Sequence, residues 1–225
     1  ASFCGVVGFK PTIGTFDLTG VKALARTFDT LGVFANDVID ASLLIDTLTG
    51  NRFMDFCSLS NFPKTIGLCR SPFWDEADPM MNRAWDELIF RLARYEPQVT
   101  LIDVELPTLY SKAADVHNRV LSREAVDALH FEWRCYKELI GPKLAGLLHQ
   151  GEIMDMDIYR NDIDIIVQLR RSFSDAIGGA DILLTPSSTG VPPLFEDGTG
   201  DPLFNRMWSL LGVPALNVPG LMSSN

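Results

Sequence analysis

Between Lys64 and Leu106 the hydrophobic pattern changes period twice, and that change limits the folds open to the chain. Lys64 to Cys69, KTIGLC, is an apolar run of strand length. Asp78 followed by Pro79 supplies a cap and a first-turn proline for a helix whose Ala84, Trp85, Leu88, Ile89 and Leu92 share one face, with Pro97 beyond its end. Val99 to Leu106, VTLIDVEL, alternates as a strand and stops at Pro107. A strand, helix, strand unit of this length implies parallel pairing in an α/β sheet.

The flanking segments fit that class. Cys4 to Phe9 is a glycine-punctuated apolar run with the character of a buried strand, stopped by Pro11 and Gly14, and Gly20 marks a further turn. Val38, Ile39, Ala41, Leu44, Ile45 and Leu48 form a helical stripe, with Asn36 as the cap and Gly50 as the close. Residues 108 to 178 are helical in pattern, broken at Gly141 with Pro142 and at Gly151, and the stretch 107–178 reads as an outer helical layer. Asp181 to Leu184 is a compact strand that ends in Thr185 and Pro186 and runs into a Pro, Gly and Ser-rich loop reaching Asp201. Loops at the C-terminal ends of strands are where α/β folds place ligands. Pro202 to Leu211 reads as a helix and Pro214 to Val218 as a last strand, and no internal repeat interrupts the pattern.

Composition then excludes several classes of function. A hydrophobic fraction of 47% in 225 residues is ample for one continuous core. No run approaches the roughly 20 apolar residues of a membrane span, and no leader pattern opens the chain, so a cytoplasmic protein with no membrane partner is expected. A net charge of -10 without a basic cluster argues against nucleic acid. Cys4, Cys57, Cys69 and Cys135 lack CxxC spacing and read as reduced thiols.

Four elements in one order carry a family resemblance. Ala1 to Gly14, ASFCGVVGFKPTIG, resembles the block after the nucleophilic serine of the amidase signature family, where a Gly-Gly-Ser-x-Arg-x-Pro run leads into Ala-Ser-Phe-Cys-Gly. Ala25 to Gly32, ARTFDTLG, is similar to the family's Ala-x-Ser-Leu-Asp-Thr-x-Gly segment, and Val38 to Leu44 continues it. Asp181 to Pro186, DILLTP, resembles Asp-x-Leu-Leu-Thr-Pro, and Asn205, Gly212, Pro214 and Ala215 resemble the Asn-x-Gly-x-Pro-Ala element.

The resemblance implies part of the amidase signature fold, a mixed β-sheet core with surrounding helices, in which 1–225 is a single α/β domain fragment truncated at both ends. It implies hydrolysis of a small amide to a carboxylate and ammonia or an amine. A serine is activated there through a second serine, in a cis peptide, by a lysine base, and backbone amides form the oxyanion hole. All three catalytic side chains are expected upstream of Ala1, so no catalytic residue is assigned in this chain, which is expected to be inactive alone. No metal or organic cofactor is implied. The amidase subunit of a tRNA-dependent amidotransferase looks similar over the same motifs, and a truncated binding or scaffolding module without chemistry is the reading from another class. Sheet edges exposed by truncation favour self-association, so a homo-oligomer is expected.

Within the chain, Thr185, Pro186 and Trp208 are the candidates for the wall of an acyl or leaving-group pocket. The alternative is that Thr185 and Pro186 end a strand and that Trp208 is core on the face of Phe204 and Leu211. Ser2 reads as a packing or capping residue, Lys10 as a structural lysine tying down the loop at Pro11, and Cys4 as a small buried residue. His117, His130 and His149 have no ligand spacing and read as solvated or partly packed. Asp155, Asp157, Asn161, Asp162 and Asp164 approach a calcium loop, but counting from Asp155, Arg160 falls at the glycine position and Ile166 at the glutamate position, so they read as a negatively charged helix start.

Overall fold

The structure, a computed structural model, describes residues 1–50, 63–96 and 98–221; Cys57 and Pro97 lie outside the described residues. Two three-stranded sheets organise it. The first has the order β2-β1-β6, with β1 (Val7–Lys10) antiparallel to both β2 (Val33–Ala35) and β6 (Ala215–Asn217). The second has the order β4-β3-β5 and is parallel throughout, joining β3 (Thr65–Leu68), β4 (Thr100–Asp103) and β5 (Ile182–Leu184).

The parallel sheet contains the strand, helix, strand unit expected of residues 64–106. Helix α2 (Pro79–Tyr95) starts where Asp78 accepts from the Met80 and Met81 N–H groups and Pro79 occupies the first turn, where no intrahelical donor is needed. Val99 to Leu106 is shorter as a strand than its alternation suggests. Leu68 pairs with Asp103 at the end of β3, and only the Val104 N–H reaches one bond further, to the Leu68 carbonyl at 3.0 Å.

Helix α1 (Val38–Thr49) is capped by Asp37, not by Asn36. The Asp37 backbone is extended and its carboxylate accepts from Asp40 N–H, while Gly50 closes the helix at φ 69°. Only Ala41 and Ile45 of α1 are buried, packing with Val7 and Val33 of the antiparallel sheet. Cys4 is exposed, contrary to the buried position expected, because residues 2–4 form a 3-10 turn and the strand begins only at Val7.

Residues 108–178 contain α3 (Ala113–Ala128), α4 (His130–Cys135), α5 (Pro142–Glu152) and α6 (Met156–Ala176). Gly151 does not break a helix: α5 runs through it, and a Cβ there would sit 1.9 Å from the Ser122 carbonyl oxygen of α3. The glycine lets two helix backbones touch. Together with α7 (Leu203–Leu211), helices α3 and α6 build the main core, in which Val116, Val120, Leu169, Met207 and Leu210 are fully buried. Tyr110 anchors it, its hydroxyl donating to the Leu169 carbonyl at 3.0 Å.

The acidic run at the head of α6 divides into two functions. Asp155 caps the helix by accepting from Asp157 N–H at 2.7 Å. Asp162 is completely buried and takes both arms of Arg119 at 2.7 Å, joining α3 to α6. A second carboxylate, Glu124, gathers the Ala25 to Gly32 segment onto α3, accepting from the Thr27 backbone N–H at 2.8 Å, from the Thr27 hydroxyl and from the Tyr159 hydroxyl at 3.0 Å. Burial first, then the Glu124 hydrogen bond and charge, push the Tyr159 pKa up to about 12.

Candidate functional site

A cavity of about 440 Å³ opens at the C-terminal end of β5, where a parallel sheet presents its ligand loops. One wall is the first half of α2, from Met80 to Leu88, and the opposite wall is the loop running from Leu184 to Pro192. Ser2 and Phe3 enter from the N-terminal turn, and residues 216–221 close the remaining side. Thr185 and Pro186 line this space; Trp208 does not. Trp208 is 6% exposed within the main core, edge-on to Phe173 with ring centroids 6.3 Å apart, because the face of α7 that carries it turns toward α6.

Hydrogen bonds show how segments far apart in sequence are drawn together. The Ser2 hydroxyl lies 3.3 Å from the Ser187 carbonyl and 3.4 Å from Asn217 Oδ1, and can donate to either. Asn205 Nδ2 donates to that same Ser187 carbonyl at 2.6 Å, while Asn217 Nδ2 donates to the Val6 carbonyl at 2.8 Å. The opening turn, the loop after β5, the start of α7 and strand β6 therefore meet around one carbonyl. Asp181 fastens β5 to β3 from below: its carboxylate accepts the Lys64 and Thr65 N–H groups at 2.8 and 2.9 Å, which holds its pKa below the ordinary aspartate value.

The loop after β5 also leans on the head of α2. The Asp78 N–H donates to the Thr189 carbonyl at 2.8 Å, and a Cβ on Gly190 would lie 2.3 Å from Asp78 Oδ2. Ser188 turns its hydroxyl back onto the Gly190 carbonyl at 2.9 Å. Two polar atoms at the cavity, Thr185 Oγ1 and Trp85 Nε1, are buried with no hydrogen-bond partner among the described residues.

Beside the cavity, Lys10 secures the junction between the first block and the last. Its ammonium donates to the Pro11 carbonyl at 3.0 Å and to the Val213 carbonyl at 2.6 Å, and burial, then the charge of Arg170, hold its pKa below the usual lysine range. Gly212 has φ 70°, accepts from the Ile13 N–H at 2.9 Å, and would place a Cβ 2.8 Å from Ile13 Cγ2.

Sequence reasoning assigned Ser2 to packing and overlooked Asn217 and the α2 wall. The spacing of Ala84, Trp85 and Leu88 gives the helix face but not what that face meets. Among the described residues no three His, Cys, Asp or Glu side chains are grouped to hold a metal ion, and no helix is long and apolar enough to cross a membrane.

The family model described as Amidase matches residues 1–223. The glutamyl-tRNA(Gln) amidotransferase subunits A of Cyanothece sp. and Hahella chejuensis are 27% and 28% identical to the chain, over 98% and 97% of it and 53% and 54% of their own lengths. A solved structure described as an amidase superposes at a TM-score of 0.82 with 25% identity, covering 97% of this chain and 51% of the other. The 6-aminohexanoate cyclic dimer hydrolase bound to substrate shares the fold at a TM-score of 0.76 and 18% identity, covering 100% of this chain and 55% of its own. The chain spans about half the length of these proteins. The match takes in nearly the whole chain, every segment that frames the cavity included, and the chain belongs to the amidase family.

Proposed function

We propose that these residues build one wall of the substrate pocket of a serine amidase that converts a carboxamide to a carboxylate and ammonia or an amine. The observation that supports it is the convergence of Ser2, the loop at Thr185 and Pro186, and strand β6 on a single cavity. A serine in a Gly-Gly-Ser-x-Arg-x-Pro run leading into Ala1 would lie within roughly 20 Å of Ser2 even if fully extended, close enough to reach the cavity mouth. On this reading the serine oxygen attacks the carboxamide carbon, and its proton passes by way of a second serine to a lysine. Backbone amides hold the oxyanion, the leaving nitrogen departs protonated, and a water then cleaves the acyl-serine ester, releasing the carboxylate and restoring the serine.

Thr185 and Pro186 then flank the acyl group, while Trp208 acts only through the packing of α7. The test is fluorophosphonate labelling of the native protein, followed by mapping of the modified serine. Modification upstream of Ala1, with no amide hydrolysis by residues 1–225 alone, is expected; a modified Ser2, or serine-dependent hydrolysis by the 225-residue chain, overturns the reading.

The names of the amidotransferase relatives favour a second reading, in which the same pocket serves an amidase subunit within a larger assembly. Partner subunits copurifying with the native protein would distinguish it.

The isolated chain is further expected to self-associate through α1. Phe34 of β2 and Leu43 of α1 are each more than half exposed and, with Leu44, line one shallow apolar surface. Light scattering should show dimers or larger species that Phe34→Glu with Leu43→Glu converts to monomer. A wild-type monomer at high concentration would contradict this.

A further inference from the structure

We infer that the cavity accepts an uncharged, apolar amide and discriminates against amides whose remote end carries a carboxylate or an ammonium group. The inference rests on reading the cavity as the pocket of an amidase, and it names the class of substrate that pocket takes.

The wall that this chain builds supplies no counter-charge. Among the described residues, no Asp, Glu, Lys, Arg or His lines the cavity, in a chain where 21% of residues are charged. Met80, Ala84 and Leu88 present hydrocarbon and thioether from α2, and Val191, Pro192 and Leu216 do so from the facing loop and strand. A charged group entering such a space gives up its hydration without forming an ion pair.

The neutral polar groups are committed or out of reach: Thr185 Oγ1 and Trp85 Nε1 have no partner among the described residues but are fully buried. The Ser2 hydroxyl is held by Ser187 and Asn217, the Asn217 amide nitrogen by Val6, and the Ser188 hydroxyl by Gly190. Each would have to break an intrachain bond to solvate an ion. Asp78 lies behind Gly190, outside the lining, and caps α2 through Oδ1, so its charge repels an anion at that end of the cavity. An alkyl or aryl group meets none of these penalties, and its burial against Met80, Met81 and Leu88 is favourable.

Binding measures this without requiring turnover. Trp85 forms part of the wall, so its fluorescence reports occupancy, with Trp85→Phe as the silent reference. The 225-residue chain is expected to bind hexanamide saturably, at least about 100-fold more tightly than succinamate or 6-aminohexanamide. Val191 is 49% exposed on a loop, so Val191→Asp places a carboxylate at the cavity without disturbing the core. That variant should weaken hexanamide at least about tenfold and strengthen 6-aminohexanamide about tenfold. Equal or tighter binding of succinamate by the wild type, or no saturable binding of hexanamide, overturns the inference. Hydrolysis by the native protein separates the two readings: succinamate as the preferred substrate sinks this one and leaves the amidase reading intact. Hexanamide binding with no amide cleaved by the native protein does the reverse.

Discussion

Gly151→Ala lowers the stability of the chain by about 2 to 3 kcal/mol, and Gly146→Ala, five residues earlier on the same helix, raises it by about 0.5 to 1 kcal/mol. Both changes add one methyl group to α5, and both gain the helix preference of alanine over glycine. They differ in what the methyl meets. At Gly146 nothing lies within 4 Å, whereas at Gly151 the new carbon would fall 1.9 Å from the Ser122 carbonyl oxygen and 2.4 Å from its carbon. Those atoms are backbone, so no rotamer change relieves the overlap, and the two helices must separate.

Separation of α3 from α5 also loosens Leu148, which is fully buried against Ala125, Val126 and Trp133. It stretches the bond from the Arg123 guanidinium to the Gly151 carbonyl as well, 3.1 Å in the native packing. Urea unfolding of the two variants beside the wild type checks this. Shifts of the same sign would mean that the close approach of the helices does not govern the site.

Acid is expected to weaken the fold by way of His117. Its ring stacks on Phe28 with centroids 4.5 Å apart, its Nδ1 is buried without a partner among the described residues, and Arg206 lies near on α7. Burial first, and then the Arg206 charge, push the His117 pKa down to about 4, against a smaller raising effect from a hydrogen bond with Asn118.

The sign follows from comparing the two states. Between pH 6.5 and about 4 the unfolded chain binds a proton at this ring and the native chain does not, so stability falls as pH falls through that window and is constant above it. From pH 7 to pH 5 the loss comes to about 2 kcal/mol, and across the whole window to about 3 kcal/mol. His117→Phe keeps the stack on Phe28 and removes the titration. Urea unfolding at the two pH values should show the variant losing about 2 kcal/mol less than the wild type. Equal pH slopes would remove His117 as the source.

Where the chain announces an element by local chemistry, reading it in isolation succeeds. Asp78 and Pro79 start α2, Gly50 ends α1, and the span from Lys64 to Leu106 forms a parallel unit, because caps, turns and period are properties of neighbouring residues. What requires a partner is not legible. Gly151 looks like punctuation until Ser122 is beside it. Asp162 looks like one more surface acid among four aspartates until Arg119 closes over it. Strand β4 ends when its neighbour ends, whatever the alternation of Val104 and Leu106 promises.

The cavity divides along the same line. Thr185 and Pro186 were accessible to reasoning because they close a strand that precedes a long loop. Trp208 sits on the face of α7 that carries Phe204 and Leu211 into the core, the alternative that its spacing left open. Asn217 and Ser2 come from opposite ends of the chain, and nothing local to either predicts the meeting.

The parallel register carries a consequence for chain entropy. Ile66 pairs with Leu101 on one side, 35 residues away, and with Ile182 on the other, 116 residues away. Closing the longer loop costs about 1 kcal/mol more, since the cost grows only with the logarithm of length. Strand β5 is thus the member of its sheet whose attachment is entropically dearest, and the wall formed by Thr185 and Pro186 hangs from its end. The cavity exists only while the most distant pairing in that sheet holds.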